Sequence, residues 1–342
     1  MGQSPDSSTY NEDGNGLPFF QGNADFGEIY PAVRMWCSEP TKIAREKDIL
    51  ISVRAPIGAL NIANCECCIG RGLAALTVNE DICAQEYLWH ALSGKADELN
   101  SKGTGSTFKA INKKTLSETE IPLPPIDEQR KIAAILDKVS DLIAKRQQQL
   151  DKLDEAVKAR FVEIFGDCYT NPHNLPIEKW NNIFSTTTGK LDSNAAVENG
   201  KYPFFTCSKE TLRINTYAFD QEALLLAGNN AAGKYDVKYY CGKFNAYQRT
   251  YVLSLKHDWS YALFRFQLED KLEYLEQQSL GGLTKYLTLK ILNELEFIVP
   301  PKEEQDKFAA FVDQIEKTKT TVSHSLEKLE TLKKALMQEY FR

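Results

Sequence analysis

The chain has no apolar run of 18 residues, so no membrane-spanning segment and no membrane partner are expected. Its opening stretch, MGQSPDSSTYNEDGNG, is polar and lacks the apolar core of a secretion signal, which points to the cytoplasm. Histidine is scarce: the four in 342 residues (His90, His173, His257, His324) lie apart in sequence. The eight cysteines do not fall into metal-binding spacing. Their densest group, CECC at Cys65 to Cys68, has no second C-x₂₋₄-C pair and no histidines at finger spacing, so no metal is expected. In a chain this long they read as reduced thiols, not a disulfide scaffold. A basic excess is also missing. Lys and Arg number 41 against 47 Asp and Glu, a net charge of −6, which argues against a uniformly basic nucleic-acid binder.

One apparent nucleotide motif is incomplete. GNNAAGKY, Gly228 to Tyr235, fits G-x-x-x-x-G-K but carries Tyr235 where Ser or Thr would hold Mg²⁺. A phosphate loop must also lead into a helix whose N-terminus faces the phosphate. The residues after Lys234, YDVKYYCGKFNAYQRTYVL, are rich in Tyr and Val and read as strands and turns. The stretch is therefore expected to be a turn between strands, with Gly58 and Gly233 kept for backbone shape, and no cofactor is expected.

What the chain does contain is a repeat. EIPLPPIDEQRKIAAILDKV from Glu120 matches EFIVPPKEEQDKFAAFVDQI from Glu296 at an offset of 176, without a gap to the C-terminus. Upstream, LPFF (Leu17–Phe20) echoes YPFF (Tyr202–Phe205), and DILISVRAPIG from Asp48 echoes ALLLAGNNAAG from Ala223. SKGTGSTFKAINKKTL and SLGGLTKYLTLKIL hold the same place before the prolines. A period this long means two copies of one plan, each a variable domain followed by a regular segment.

The regular segments carry a heptad pattern. Ile132, Leu136, Val139, Ile143, Leu150, Leu153 and Val157 recur at alternating steps of four and three, with Arg146 and Arg160 in phase. The second copy has Phe308, Val312, Ile315, Val322, Leu326, Leu329 and Leu336, with Lys319 and Lys333 in phase. This predicts a coiled coil of two long helices but does not choose its direction. Pro124-Pro125 and Pro300-Pro301 block helix upstream, and Asp127, Glu128, Glu303 and Glu304 favour the helix starts.

Positive charge is local. From Gly228 to Lys256, five bases face a single acid, Asp236, and are interleaved with Tyr and Phe. In the first copy Lys102, Lys109, Lys113 and Lys114 have no acid among them. Basic patches beside Gly, Ser, Thr and Asn suit phosphate contacts, and solvated lysine-rich loops are the plainer alternative.

The whole pattern resembles the specificity (S) subunit of type I restriction-modification systems. The residues that carry the resemblance are IPLPPIDEQRKIAAILD and FIVPPKEEQDKFAAFVD, with VRAPIG, CIGRG and KYPFFTC in the variable parts. The resemblance implies an α+β fold of two mixed α/β target recognition domains, separated by two long helices in an antiparallel, pseudo-two-fold coiled coil. It implies that each domain reads one half of a split site on double-stranded DNA. The helices would hold two methyltransferase (M) subunits, with restriction (R) subunits joining through the complex. Adenine methylation and ATP-driven cleavage would belong to those partners, in keeping with a chain that has no [DNS]-P-P-[YFW] run. A coiled-coil scaffold without a nucleic-acid role is the alternative.

On this reading residues 1–123 form the first recognition domain, 124–167 the first helix, 168–299 the second domain and 300–342 the second helix. The first domain is expected to be N-terminally incomplete, because PIEKWNNIF (Pro176–Phe184) has no counterpart there and the PFF anchors align Met1 with Thr186. Arg54, Arg71 and Lys109 in the first domain, and Lys234, Tyr235, Arg249 and Lys285 in the second, are the expected DNA contacts. Lys285 is assigned to phosphate and Arg249 to a guanine. Arg71 and Arg249 align as a pair, for which a structural salt bridge is the other reading. Positions 132 to 164 span about 48 Å as helix, comparable to the roughly 34–36 Å between half-sites one DNA turn apart.

Overall fold

A computed structural model of the chain describes residues 1–105, 109–231 and 233–341. Ser106, Thr107 and Phe108 of the first basic stretch, Ala232 of the glycine-lysine turn, and Arg342 lie outside the described residues. The chain forms two compact units. Unit 1 is Met1–Gln148 with Ser323–Arg342, and unit 2 is Gln149–Val322. Both long helices are continuous, Ile126–Phe165 and Lys302–Tyr340, and each contributes one end to each unit.

Unit 2 is built on a six-stranded sheet, in the order Phe184–Thr188, Thr250–Leu255, Phe219–Ala227, Val237–Ala246, Tyr202–Phe205, Leu212–Ile214. Its centre, EALLLA, is a continuous apolar run because that strand is covered on both faces. Leu224 and Leu226 point into one cluster with Trp180, Phe184, Phe264 and Phe297, while Ala223 and Leu225 face another with Phe205 and Phe244. Trp180, which opens the second domain, is fully buried and donates its indole N–H to Thr186 Oγ1 at 2.9 Å.

Unit 1 repeats this plan in shorter strands. Leu17–Phe20 runs parallel to Cys67–Ile69 with Phe19 opposite Cys68, as Tyr202–Phe205 runs parallel to Val237–Ala246 with Phe204 opposite Asn245. Ile49–Ser52 pairs antiparallel with Leu73–Leu76, as Phe219–Ala227 pairs with Thr250–Leu255. Gly2 packs its α-carbon on the carbonyls of Ile69 and Gly70, as Gly189 does on those of Ala246 and Tyr247. Met1 therefore takes the place of Thr188, two residues from the alignment based on the PFF anchors. The CECC group is ordinary sheet. Cys67 and Cys68 alternate across the strand into different apolar clusters, and burial pushes the Cys67 thiol up to about 12.

The long helices pair antiparallel inside each unit. In unit 1 the start of one meets the end of the other: Ile132 and Leu136 share a cluster with Leu336 and Phe341, and Arg146 Nε donates to Ser325 Oγ at 3.3 Å. In unit 2 Phe161 and Phe165 pack edge-on against Phe308, and Lys319 Nζ meets Asp154 Oδ1 at 2.7 Å. The seam residues from Ile132 to Val157 and from Phe308 to Leu336 are buried or half-buried. Beyond Val157 the buried face moves on by one residue, to Phe161 and Phe165 in place of Arg160 and Ile164. A straight helix drifts about 20° per heptad, and here the domain core draws the phenylalanines inward. Arg160 instead bonds Glu163 at 2.8 Å.

The E-Q of the repeated motif has a structural role. Gln305, 1 % exposed, accepts the Ser260 N–H at 3.0 Å and donates to the Pro300 carbonyl at 2.8 Å. Gln129, fully buried, accepts the Ala84 N–H at 2.9 Å and donates to the carbonyls of Ile82 and Pro124. Ser260 and Ala84 are the N-caps of the helices Tyr261–Asp270 and Gln85–Gly94. One amide thus ties each domain's helix start to the start of a long helix and satisfies groups that burial would otherwise leave unpaired.

Candidate nucleic-acid interface

The site is assembled where a central strand runs out of its ladder. In unit 1 the Ser52–Leu73 pair is followed by a bond from Val53 N–H to the Gly72 carbonyl at 2.9 Å. The other edge of the same segment takes up residues 109–111: Ile111 N–H donates to the Val53 carbonyl at 2.9 Å and Ala55 N–H to the Lys109 carbonyl at 3.1 Å. Arg54 bridges to Ala110 between these bonds. Arg54, Arg71 and Lys109, from three separate stretches of sequence, are brought to one strand end, and all three are exposed.

Unit 2 builds the same junction. The Ala227–Thr250 pair is followed by a bond from Gly228 N–H to the Arg249 carbonyl at 2.9 Å. Leu287 N–H donates to the Gly228 carbonyl at 2.8 Å, and Asn229–Asn230 pairs with Lys285–Tyr286. Gly228 has to be glycine here, since a Cβ would sit 2.3 Å from the Arg249 carbonyl oxygen. Gly233, with φ 72°, turns the chain beside Lys285 and presents Lys234 to solvent. The strand Val237–Ala246 follows, so the glycine-lysine stretch has no helix N-terminus for a phosphate loop.

Strand register corrects one sequence alignment. Ile69 matches Ala246, and Leu73 matches Thr250, so Arg249 corresponds to Gly72, and Arg71 to Gln248. The segment between the paired strands, which holds Cys67–Ile69 in unit 1 and Val237–Ala246 in unit 2, is two residues longer in unit 2, which moves the offset from 175 to 177 and hides the true partner. Lys109 and Lys285 do correspond, at 176. Asn229 and Gln248, which hold the places of Arg54 and Arg71, were not singled out from sequence. Counting back from the residue that opens each second strand would have found them.

Tyr235 is 8 % exposed and lies in the unit 2 core with Leu226, Val237 and Leu287, where burial raises its phenol. Its ring belongs to packing, which leaves six cations, the exposed Arg54, Arg71, Lys109, Lys234 and Arg249 and the half-buried Lys285. None of the six forms an ion pair among the described residues, so the salt-bridge reading of Arg71 and Arg249 is not supported. Neighbouring bases are engaged: Lys238 pairs with Asp236, Lys243 lies 3.9 Å from Asp220 and over the Tyr217 ring, and Lys102 meets Glu98 at 2.6 Å. On an acidic chain, unpaired cations gathered at the same junction of each unit are suited to a polyanion, whose counterions they would release. Among the described residues no group of three or more His, Cys, Asp or Glu is placed to hold a metal, and no helix is long and apolar enough to cross a membrane.

Two mixed α/β domains, each leading through a proline pair into a long helix of an antiparallel pair, define a duplicated recognition fold. The model of the Type I restriction modification DNA specificity domain matches residues 4–155 and 179–331, and the chain belongs to that family. It is 35 % identical over 162 residues to the type I restriction enzyme EcoDI specificity subunit of Escherichia coli, covering 45 % of this chain and 35 % of that one. It is 25 % identical over 308 residues to the MjaIX specificity subunit of Methanocaldococcus jannaschii, covering 78 % and 70 %. The chain thus spans about a third of the EcoDI subunit's length in that match. The fold is that of the crystal structure of a type I restriction-modification S subunit from M. genitalium, with a TM-score of 0.67 at 15 % identity over all of this chain and 92 % of that one.

Proposed function

We propose that this chain is the DNA sequence-specificity subunit of a type I restriction-modification complex. Each unit reads one half of a bipartite site on double-stranded DNA. The paired long helices scaffold two methyltransferase subunits, and restriction subunits join through that complex. The chain reads and positions, while methyl transfer and cleavage belong to the partners. One observation carries the reading: the same strand-end junction, in both units, presents cations that no acid of the described residues neutralises. Membership of the family supports it.

The test is selection of bound duplexes from a random library by the full chain co-expressed with its methyltransferase partners. Two half-sites at a fixed gap are expected, with affinity falling steeply as salt rises. Lys285→Ala should weaken all sites alike and reduce the salt slope by about one. Arg249→Ala should cost roughly 1–3 kcal/mol at a single base position, as a lost guanine fork would. Binding that is neither sequence-selective nor salt-dependent would leave a coiled-coil scaffold with no nucleic-acid role.

A further inference from the structure

Resting on that reading of the site, we infer that unit 1 reads guanine, and unit 2 adenine, at equivalent positions of the two half-sites. The inference comes from the register of the two junctions. In unit 1 Arg54, one residue past the Val53–Gly72 bond, bridges to Ala110, and Arg71 is the second residue of the turn closed by the Leu73 N–H on the Gly70 carbonyl at 3.0 Å. In unit 2 Asn229, one residue past the Gly228–Arg249 bond, pairs with Tyr286, and Gln248 is the second residue of the turn closed by the Thr250 N–H on the Tyr247 carbonyl at 2.9 Å. At the third corner both units carry lysine, Lys109 and Lys285.

The two kinds of position differ in the way that two kinds of DNA contact differ. A lysine is a point charge that suits any phosphate, so a residue common to both copies serves the backbone, which is the same under both half-sites. Arginine donates two N–H groups in a fork that fits O6 and N7 of guanine. The amides of asparagine and glutamine accept from adenine N6–H and donate to N7. Replacement of an arginine pair by an amide pair at one place in one fold is therefore a change of base, with the phosphate contact kept. The side chains are available for it. Arg54, Arg71 and Gln248 are exposed, and Asn229 is half-buried with no side-chain hydrogen bond among the described residues. Among the described residues the Gln248 side chain makes a single contact, 3.5 Å from Nε2 to an Asp192 carboxylate oxygen, while its backbone N–H donates to the Leu191 carbonyl.

The experiment transplants one pair. Arg54→Asn with Arg71→Gln, in the full chain with its methyltransferase partners, is put through selection from random duplexes beside the native protein and an Arg54→Lys, Arg71→Lys control. The expected result is loss of guanine and gain of adenine in one half-site only, with discrimination changing about 5- to 150-fold per base. The lysine control should keep overall affinity and weaken the guanine preference without turning it to adenine. A second measurement needs no substitution. The native protein is offered its site with 7-deazaguanine in the half-site so mapped, or with 7-deazaadenine in the other, and each loss of N7 should weaken binding. If the native protein selects a bipartite site but neither the transplant nor the deaza bases change its reading, the inference fails and the proposed function stands. If no bipartite site is selected at all, both fall.

Discussion

Gln305→Leu tests whether the E-Q motif is a buried clamp between domain and helix. The native amide accepts one hydrogen bond and donates another, at 3.0 and 2.8 Å, with Ser260 8 % exposed and Pro300 buried. Leucine is close in volume, so no cavity opens, but the Ser260 N–H and the Pro300 carbonyl lose their partner. Each such group costs about 1–3 kcal/mol, and the apolar side chain recovers part by its own burial, which leaves a net loss of about 2–4 kcal/mol. Urea denaturation followed by circular dichroism and by tryptophan fluorescence reads it, since Trp259 adjoins Ser260 and packs at 5.4 Å from Phe264. Gln305→Glu sharpens the test. Its carboxylate keeps the bond from Ser260 but faces the Pro300 carbonyl, so burial and that carbonyl raise its folded pKa above the ordinary value of about 4.3. The group is neutral in both states below the unfolded pKa, so stability nears that of the native protein there. It is lost as pH rises through the folded pKa. A Gln305→Leu protein within 0.5 kcal/mol of native at unchanged m-value, a margin of about the scatter for surface substitutions, would refute the clamp.

Other outcomes follow from the same structure. The purified chain alone should neither methylate nor cut DNA, and methyl transfer from S-adenosylmethionine by this chain would overturn the proposed function. Gly189→Ala should destabilise by about 1–3 kcal/mol in the same assay, because its Cβ would lie 1.8 Å from the Ala246 carbonyl oxygen. A thiol reagent at neutral pH should label the exposed Cys241 quickly, and leave the buried Cys37, Cys67 and Cys68 until the chain unfolds, as mass spectrometry of the labelled peptides would read.

Sequence alone determined the duplication, the two long helices and their starts, because proline pairs, first-turn acids and heptads are local signals that need no knowledge of the fold. It also read the residues after Lys234 as strand and turn and not as the helix that a phosphate loop requires, and they form the strand Val237–Ala246. The direction of the helix pair was not legible. Apolar seams look alike read either way, and only the placing of Ile132 with Phe341, and of Phe165 with Phe308, chose antiparallel. The basic stretches pointed to the expected cations, but not to which of their neighbours are paired off. Lys238 and Lys243 lie in the same basic stretch as Arg249, and strand pairing hands them Asp236 and Asp220. Tyr235 sits beside Lys234 in sequence, and the turn at Gly233 sends one into the core and the other to solvent. The correspondence of Arg71 with Gln248 was likewise decided by hydrogen-bond register, across a connecting segment of unequal length. Register is fixed by which backbone groups find each other across the sheet, and counting along the chain recovers it only once the strand starts are known.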